Sequence, residues 1–158
     1  SIPIATIGTF LLLLLFMKSF KYSIVTVIPI LLVVIWLYGT MHLMNFGLNL
    51  VTATIGAISI GVGIDYSIHM TERFREEFTH NQKKYEALLY TINGTGISLA
   101  ASAASSIGGF IVMSQAPMPL FSSYGLITAI MIIMAFSASV LVLPSLLMIV
   151  THEKSSKK

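Results

Sequence analysis

Five apolar runs, spread through a chain of 158 residues, leave it few ways to fold. They extend approximately from Ile2 to Met17, Ile24 to Met44, Leu48 to Met70, Ile92 to Met113 and Leu120 to Val150. A helix needs about 20 predominantly apolar residues to cross roughly 30 Å of hydrocarbon. Backbone polar groups in lipid must find partners within their own segment, so each run predicts a helix. Residues are 56% hydrophobic and only 9% charged, against about 25% charged in an ordinary soluble domain. A soluble fold this apolar could not cover its own surface. The expected fold is therefore an all-α membrane protein, a bundle of five transmembrane helices over residues 1–150 with a basic tail over 151–158.

Charge placement predicts the orientation, because loops on the cytoplasmic side collect Lys and Arg. Lys18 and Lys21 lie between the first two runs, Arg73, Arg75, Lys83 and Lys84 between the third and fourth, and Lys154, Lys157 and Lys158 after the fifth. The opposite loops, near His42 to Asn49 and Gln115 to Pro119, contain no charged residue. This places Ser1 outside and the C-terminus in the cytoplasm, in an inner, cytoplasmic membrane. The first run begins at Ser1 without a Met, a charged leader or a cleavage site, so it reads as a chain entered midway and not as a signal peptide.

The third run is broken up by Gly56, Gly61 and Gly63 before Asp65, Tyr66, Ser67 and His69, the texture of an interior helix. The helix is expected to continue through Thr71 to Phe78, where Arg73 and Glu77 stand at i, i+4, and to break near His80 to Gln82. Tyr85, Leu88 and Leu89 resume an apolar stripe beyond. Residues 71–91 thus predict a cytoplasmic amphipathic linker helix lying along the membrane face between spans three and four. The fourth run is rich in small residues, among them Gly94, Gly96, Ala100, Ser102, Ser105, Gly108 and Gly109. It is expected to pack tightly against at least two neighbours, span three among them.

Asp65 is the residue with chemistry. An ionised Asp near the middle of a spanning helix costs about 2.5 to 3.5 kcal/mol on insertion scales, so it normally faces a protein interior or water cavity and marks an ion or proton path. The competing reading is an Asp that reaches the inner interface beside Arg73. His69 stands at i+4 on the same face, a candidate for proton exit, whereas Tyr66 points about 100° away. Gly61-Val62-Gly63-Ile64-Asp65 is not the Gly-x-Gly-Asp of intramembrane aspartyl proteases, since Ile64 shifts the carboxyl and the chain has no second Asp for a dyad. His42, His69, His80 and His152 lack metal-ligand spacing, and no cysteine is present. No enzyme activity, metal or cofactor is expected, and no nucleic-acid partner.

The run from Gly61 to His69, followed by Glu72-Arg73-Phe74, resembles the fourth transmembrane helix of the resistance-nodulation-division (RND) superfamily. The resemblance is greatest to the branch of the mycobacterial membrane protein large (MMPL) transporters, hopanoid exporters and Patched-like proteins. Thr95-Gly96-Ile97, Gly109-Phe110, Ser114, Pro117, Gly125 and Leu143-Pro144 fall where the fifth and sixth helices of that superfamily carry similar signals. The whole chain then corresponds to helices two to six of one half, the unit called a sterol-sensing domain in eukaryotic relatives.

This resemblance implies proton-driven export of lipids or other hydrophobic substrates. Asp65, Tyr66 and His69 would form the proton relay, with Tyr66 bonded to the Asp of the other half. Gly61, Gly63, Gly94, Gly96, Gly108 and Gly109 would pack around it. The expected partners are the lipid bilayer, the hydrophobic substrate, and the first helix, porter domain and second half that complete members possess. A second copy, in a homodimer or higher oligomer, could stand in for the other half. The alternative is a sterol-sensing-like lipid-binding or regulatory module without transport activity.

Overall fold

The computed structural model describes residues 2–47 and 50–151. Ser1, the pair at 48–49 and residues 152–158, with them His152 and the basic tail, lie outside the described residues. Among the described residues every regular element is helical: α1 (Ile2–Met17), α2 (Phe20–Leu43), α3 (Leu50–Asn81), α4 (Lys84–Thr91), α5 (Ile97–Ser114), α6 (Pro119–Ser137) and α7 (Leu143–Val150). π-helical turns at Ile92–Gly96 and Ala138–Val142 join α4 to α5 and α6 to α7. The chain therefore forms five long helical rods, in agreement with the all-α bundle read from the sequence.

By length and composition, the rods Phe20–Leu43, Lys84–Ser114 and Pro119–Val150 can each cross a membrane. At 16 residues α1 is shorter than a typical span, and α3, at 32 residues, turns polar in its second half. These two are held by their neighbours: α1 packs on α2 and α3, while α3 packs on α2, α4 and α6. The core joins Val33, Leu37 and Met41 of α2 to Ile55, Met70 and Phe74 of α3 and to Met131, Ile132 and Ala135 of α6.

Lipid tails are as apolar as the core, so helix association rests on close packing and interhelical hydrogen bonds. Thr26 and Thr71 join hydroxyls at 3.0 Å between α2 and α3, and Ser67 and Ser139 do so at 3.1 Å between α3 and the second π turn. The tightest backbone approach is at Gly125, where a Cβ would lie 2.6 Å from the Ser114 nitrogen and 2.7 Å from the Phe110 carbonyl oxygen. Beside it the Ser122 hydroxyl donates to the Ser114 carbonyl at 2.6 Å.

The C-terminal ends of α1 and α3 stop at residues in the left-handed region, Lys18 at φ 47° and Gln82 at φ 54°. The break after α3 thus falls at the edge of the window the sequence marks. The linker differs from expectation. Residues 71–81 simply prolong α3, α4 runs on through a π turn into α5, and the two form a helical hairpin. Phe74 stacks on Phe78, with ring centroids 6.1 Å apart, and joins fully buried Ala87 in the core. Leu88 and Phe78 pack against the core, while Tyr85 and Leu89 of the stripe stay exposed.

Span four meets both α3 and α6, as its small residues predict, but at different places: α5 packs on α6, and the rod meets α3 along α4 and the π turn at Ile92–Gly96. Only Leu99 and Ala103 of α5 are buried, and Ala101, Ser102, Ser105, Gly108 and Gly109 lie exposed. Small side chains permit close approach on any face; they do not say which faces have a neighbour.

Candidate proton-relay face

α3 has two unlike sides. Tyr66, Ser67, Met70, Thr71 and Phe74 turn into the bundle, while Gly61, Asp65, His69, Glu72 and Glu76 are exposed. The steps from 61 to 65 to 69 are each four residues, which keeps these positions on one helical face. Asp65 and His69 therefore share a side, as their spacing predicts. The Asp65 carboxylate stands on the chain's own open surface. No hydrogen bond or ion pair engages Asp65 among the described residues.

Arg73 does not neutralise it. The Arg73 guanidinium bonds Glu76 at 2.8 Å and Glu77 at 2.6 Å, the second being the pair anticipated from the sequence. Two turns of helix separate this cluster from Asp65. The reading in which Asp65 reaches the interface beside Arg73 thus loses its partner.

Tyr66 goes the other way. Its side chain is 6% exposed and meets Phe136 of α6 edge to face, with centroids 6.3 Å apart and an interplanar angle of 83°. The 100° step between neighbouring helix positions is the cause: with Asp65 on the open side, Tyr66 must enter the core. Within this chain its ring is taken up by the contact between α3 and α6.

Of the six glycines expected to pack around the relay, Gly96 is buried in its π turn and Gly63 lies opposite Ala135, its would-be Cβ 3.9 Å from that methyl. Gly61, Gly94, Gly108 and Gly109 have nothing within 4 Å of a would-be Cβ. Within these five helices, no neighbour packs on them. Gly125, the glycine with the closest backbone opposite it, was legible only as part of the family resemblance.

Two adjoining open grooves, of about 510 and 460 Å³, share His69, Arg73 and Thr95. They run from Glu72 and Glu76 to Gly94 and Ser98, so polar side chains continue from His69 toward the α3–α4 hairpin. The π turn at Ile92–Gly96 supplies Gly94 and Thr95. π turns often occur at functional sites. The second π turn, at Ala138–Val142, precedes Pro144, which lacks an N–H and whose ring clashes with the carbonyl four residues back. Both π turns touch α3, and the second presents Ser139 to Ser67. The sequence shows the serines and Pro144 but not that they meet α3.

The geometry offers a carboxylate without a partner among the described residues, a histidine one turn away, and a polar groove, lined also by Glu72, leading onward. Such a set can take up and pass a proton.

The sequence model of the MMPL family matches residues 2–158. A membrane protein of Methanocaldococcus jannaschii is 31% identical over 146 residues, which are 92% of this chain and 38% of the relative. The transport protein MmpL12 of Mycobacterium tuberculosis is 29% identical over 113 residues, 69% of this chain and 10% of that protein. The hopanoid transporter HpnN of Rhodopseudomonas palustris is 28% identical over 100 residues, 63% of this chain and 12% of that protein. The chain thus spans well under half the length of these relatives. No solved structure matches it.

Proposed function

Because the chain belongs to the MMPL family of membrane transporter-type proteins, we propose that it is the proton-translocating transmembrane half-domain of an exporter of lipids or other hydrophobic molecules. Asp65 is the proton carrier and His69 passes the proton toward the basic, cytoplasmic side. The observation that supports this reading is the alignment of an unpaired Asp65 with His69 on an open face of α3, beside the bare, small-residue face of α5. A charge at that depth is costly unless it faces protein or water, so the face is one that a further transmembrane unit covers. Either a second half in the same polypeptide or a second copy of this chain would do so. One proton crossing 100 mV supplies about 2.3 kcal/mol to movement of such a unit.

Tyr66 has a narrower part in this scheme. Its ring fixes α3 against α6, which sets the direction in which Asp65 points.

The test is export by the full-length parent under an imposed proton gradient. Asp65→Asn, which keeps shape and removes the titrating group, abolishes gradient-dependent export, and Asp65→Glu retains part of it. Undiminished export by Asp65→Asn would overturn the relay and favour the lipid-binding, regulatory reading.

A further inference from the structure

The cations on the basic face are not alike. Arg73 is held by two glutamates, and Arg75 donates to the Met17 carbonyl at 3.0 Å while lying over the Tyr22 ring, 4.9 Å from its centroid. Lys83 pairs with Glu86 at 2.7 Å, and Lys84 reaches the Met148 carbonyl at 3.5 Å. Lys18 and Lys21 are different: neither side chain has a hydrogen bond or ion pair among the described residues. Their connector, Lys18-Ser19-Phe20-Lys21, contains no acid.

Lys21 borders an open furrow of about 370 Å³ whose other walls are Phe20, Ile24 and Val25 of α2 and Val150 of α7. Val25, 3% exposed, forms its floor. Phe20 stands up as a wall, braced edge to face against Phe10 at 5.9 Å. The furrow lies between α2 and α7, apart from the Asp65 face on α3. An apolar channel bordered by the Lys21 ammonium group, unpaired among the described residues, with Lys18 three positions back in the connector, is complementary to an amphiphile of negative charge. A neutral lipid would satisfy the channel and leave the ammonium groups without a counter-charge.

We propose that this furrow binds an anionic phospholipid, with its phosphate at Lys21 and Lys18 and an acyl chain along Phe20, Ile24 and Val150. A basic residue near an anionic bilayer surface contributes about fivefold in affinity, so the two lysines together favour an anionic over a zwitterionic headgroup by about 25-fold. The site adjoins Tyr22, whose hydroxyl lies 3.3 Å from that of Thr151; a bound lipid would brace the α1–α2 connector against the end of α7.

Native mass spectrometry of the purified chain, offered phosphatidylglycerol and phosphatidylcholine with identical acyl chains, reads this directly. The chain retains phosphatidylglycerol preferentially, and Lys18→Gln/Lys21→Gln removes the preference. Lys83→Gln, whose cation is already paired, leaves the preference in place. Ile24→Trp, which fills the furrow without changing charge, reduces retention of both lipids. Glycerol phosphate, a headgroup without tails, does not displace the bound lipid. Equal retention of the two lipids by the unaltered chain would overturn the proposal. So would an unchanged preference in the double variant, a loss with Lys83→Gln as large as with the double variant, undiminished retention by Ile24→Trp, or displacement by glycerol phosphate.

Discussion

Asp65 and Tyr66 are adjacent in the chain and face opposite environments: the carboxylate is exposed on the bare side of α3, and the phenol ring is buried edge-on to Phe136. A single residue step thus joins an exposed carboxylate to a buried anchor. One side chain is exposed and the other packed in the core, so the two respond differently to substitution.

Removing the ring should cost far more than removing the hydroxyl. Tyr66→Ala empties a core position between α3 and α6 and lowers stability by about 3 to 5 kcal/mol, the range for large aromatic truncations. Tyr66→Phe keeps the contact with Phe136 and costs less than about 1.5 kcal/mol. Unfolding of the purified variants in mixed micelles by SDS, followed by circular dichroism, gives both values. Comparable losses from the two would show that the hydroxyl, not the ring, holds the helix.

Glycines that look equivalent in sequence should separate cleanly. Gly125→Val drives a side chain into the Phe110–Ser114 backbone and lowers stability by about 1 to 3 kcal/mol or more, the cost of overpacking. Gly108→Ala, with open space opposite, leaves the isolated chain unchanged or slightly more stable, since Ala favours the helix by about 1 kcal/mol. The same micellar unfolding measurement distinguishes them.

Arg75 ties the C-terminal end of α1 to α3. Arg75→Ala removes a charged donor from the Met17 carbonyl and a cation from the Tyr22 face, and lowers stability by about 1 to 2 kcal/mol after allowance for partial exposure. Arg75→Lys recovers only part of this, because an ammonium lacks the planar stack of a guanidinium. Hydrogen exchange at the C-terminal end of α1 should quicken in the same order.

The helices were legible because lipid makes length and apolarity nearly sufficient to define them. The Arg73–Glu77 pair and the break before α4 were legible because both follow from local spacing. What escaped was the identity of neighbours. Ser67 meets Ser139 across 72 positions, and no local pattern marks that contact. Gly108 and Gly125 are the same residue type in similar apolar surroundings, yet one faces open space and the other the backbone of α5. For the same reason, the small residues of α5 could be read as a packing surface without revealing that the five helices leave much of it uncovered. The site was half legible: the cost of Asp65 and the i+4 position of His69 pointed to a proton path, whereas the inward turn of Tyr66 depended on which side of α3 the bundle covers.

Proton movement itself is the most direct measurement. With the full-length parent in liposomes holding a pH-sensitive dye, an imposed inward gradient should drive dye acidification that Asp65→Asn reduces to the rate of protein-free vesicles, while Tyr66→Phe retains it. Acidification by Asp65→Asn at the unaltered protein's rate would contradict the assignment of Asp65 as the proton carrier.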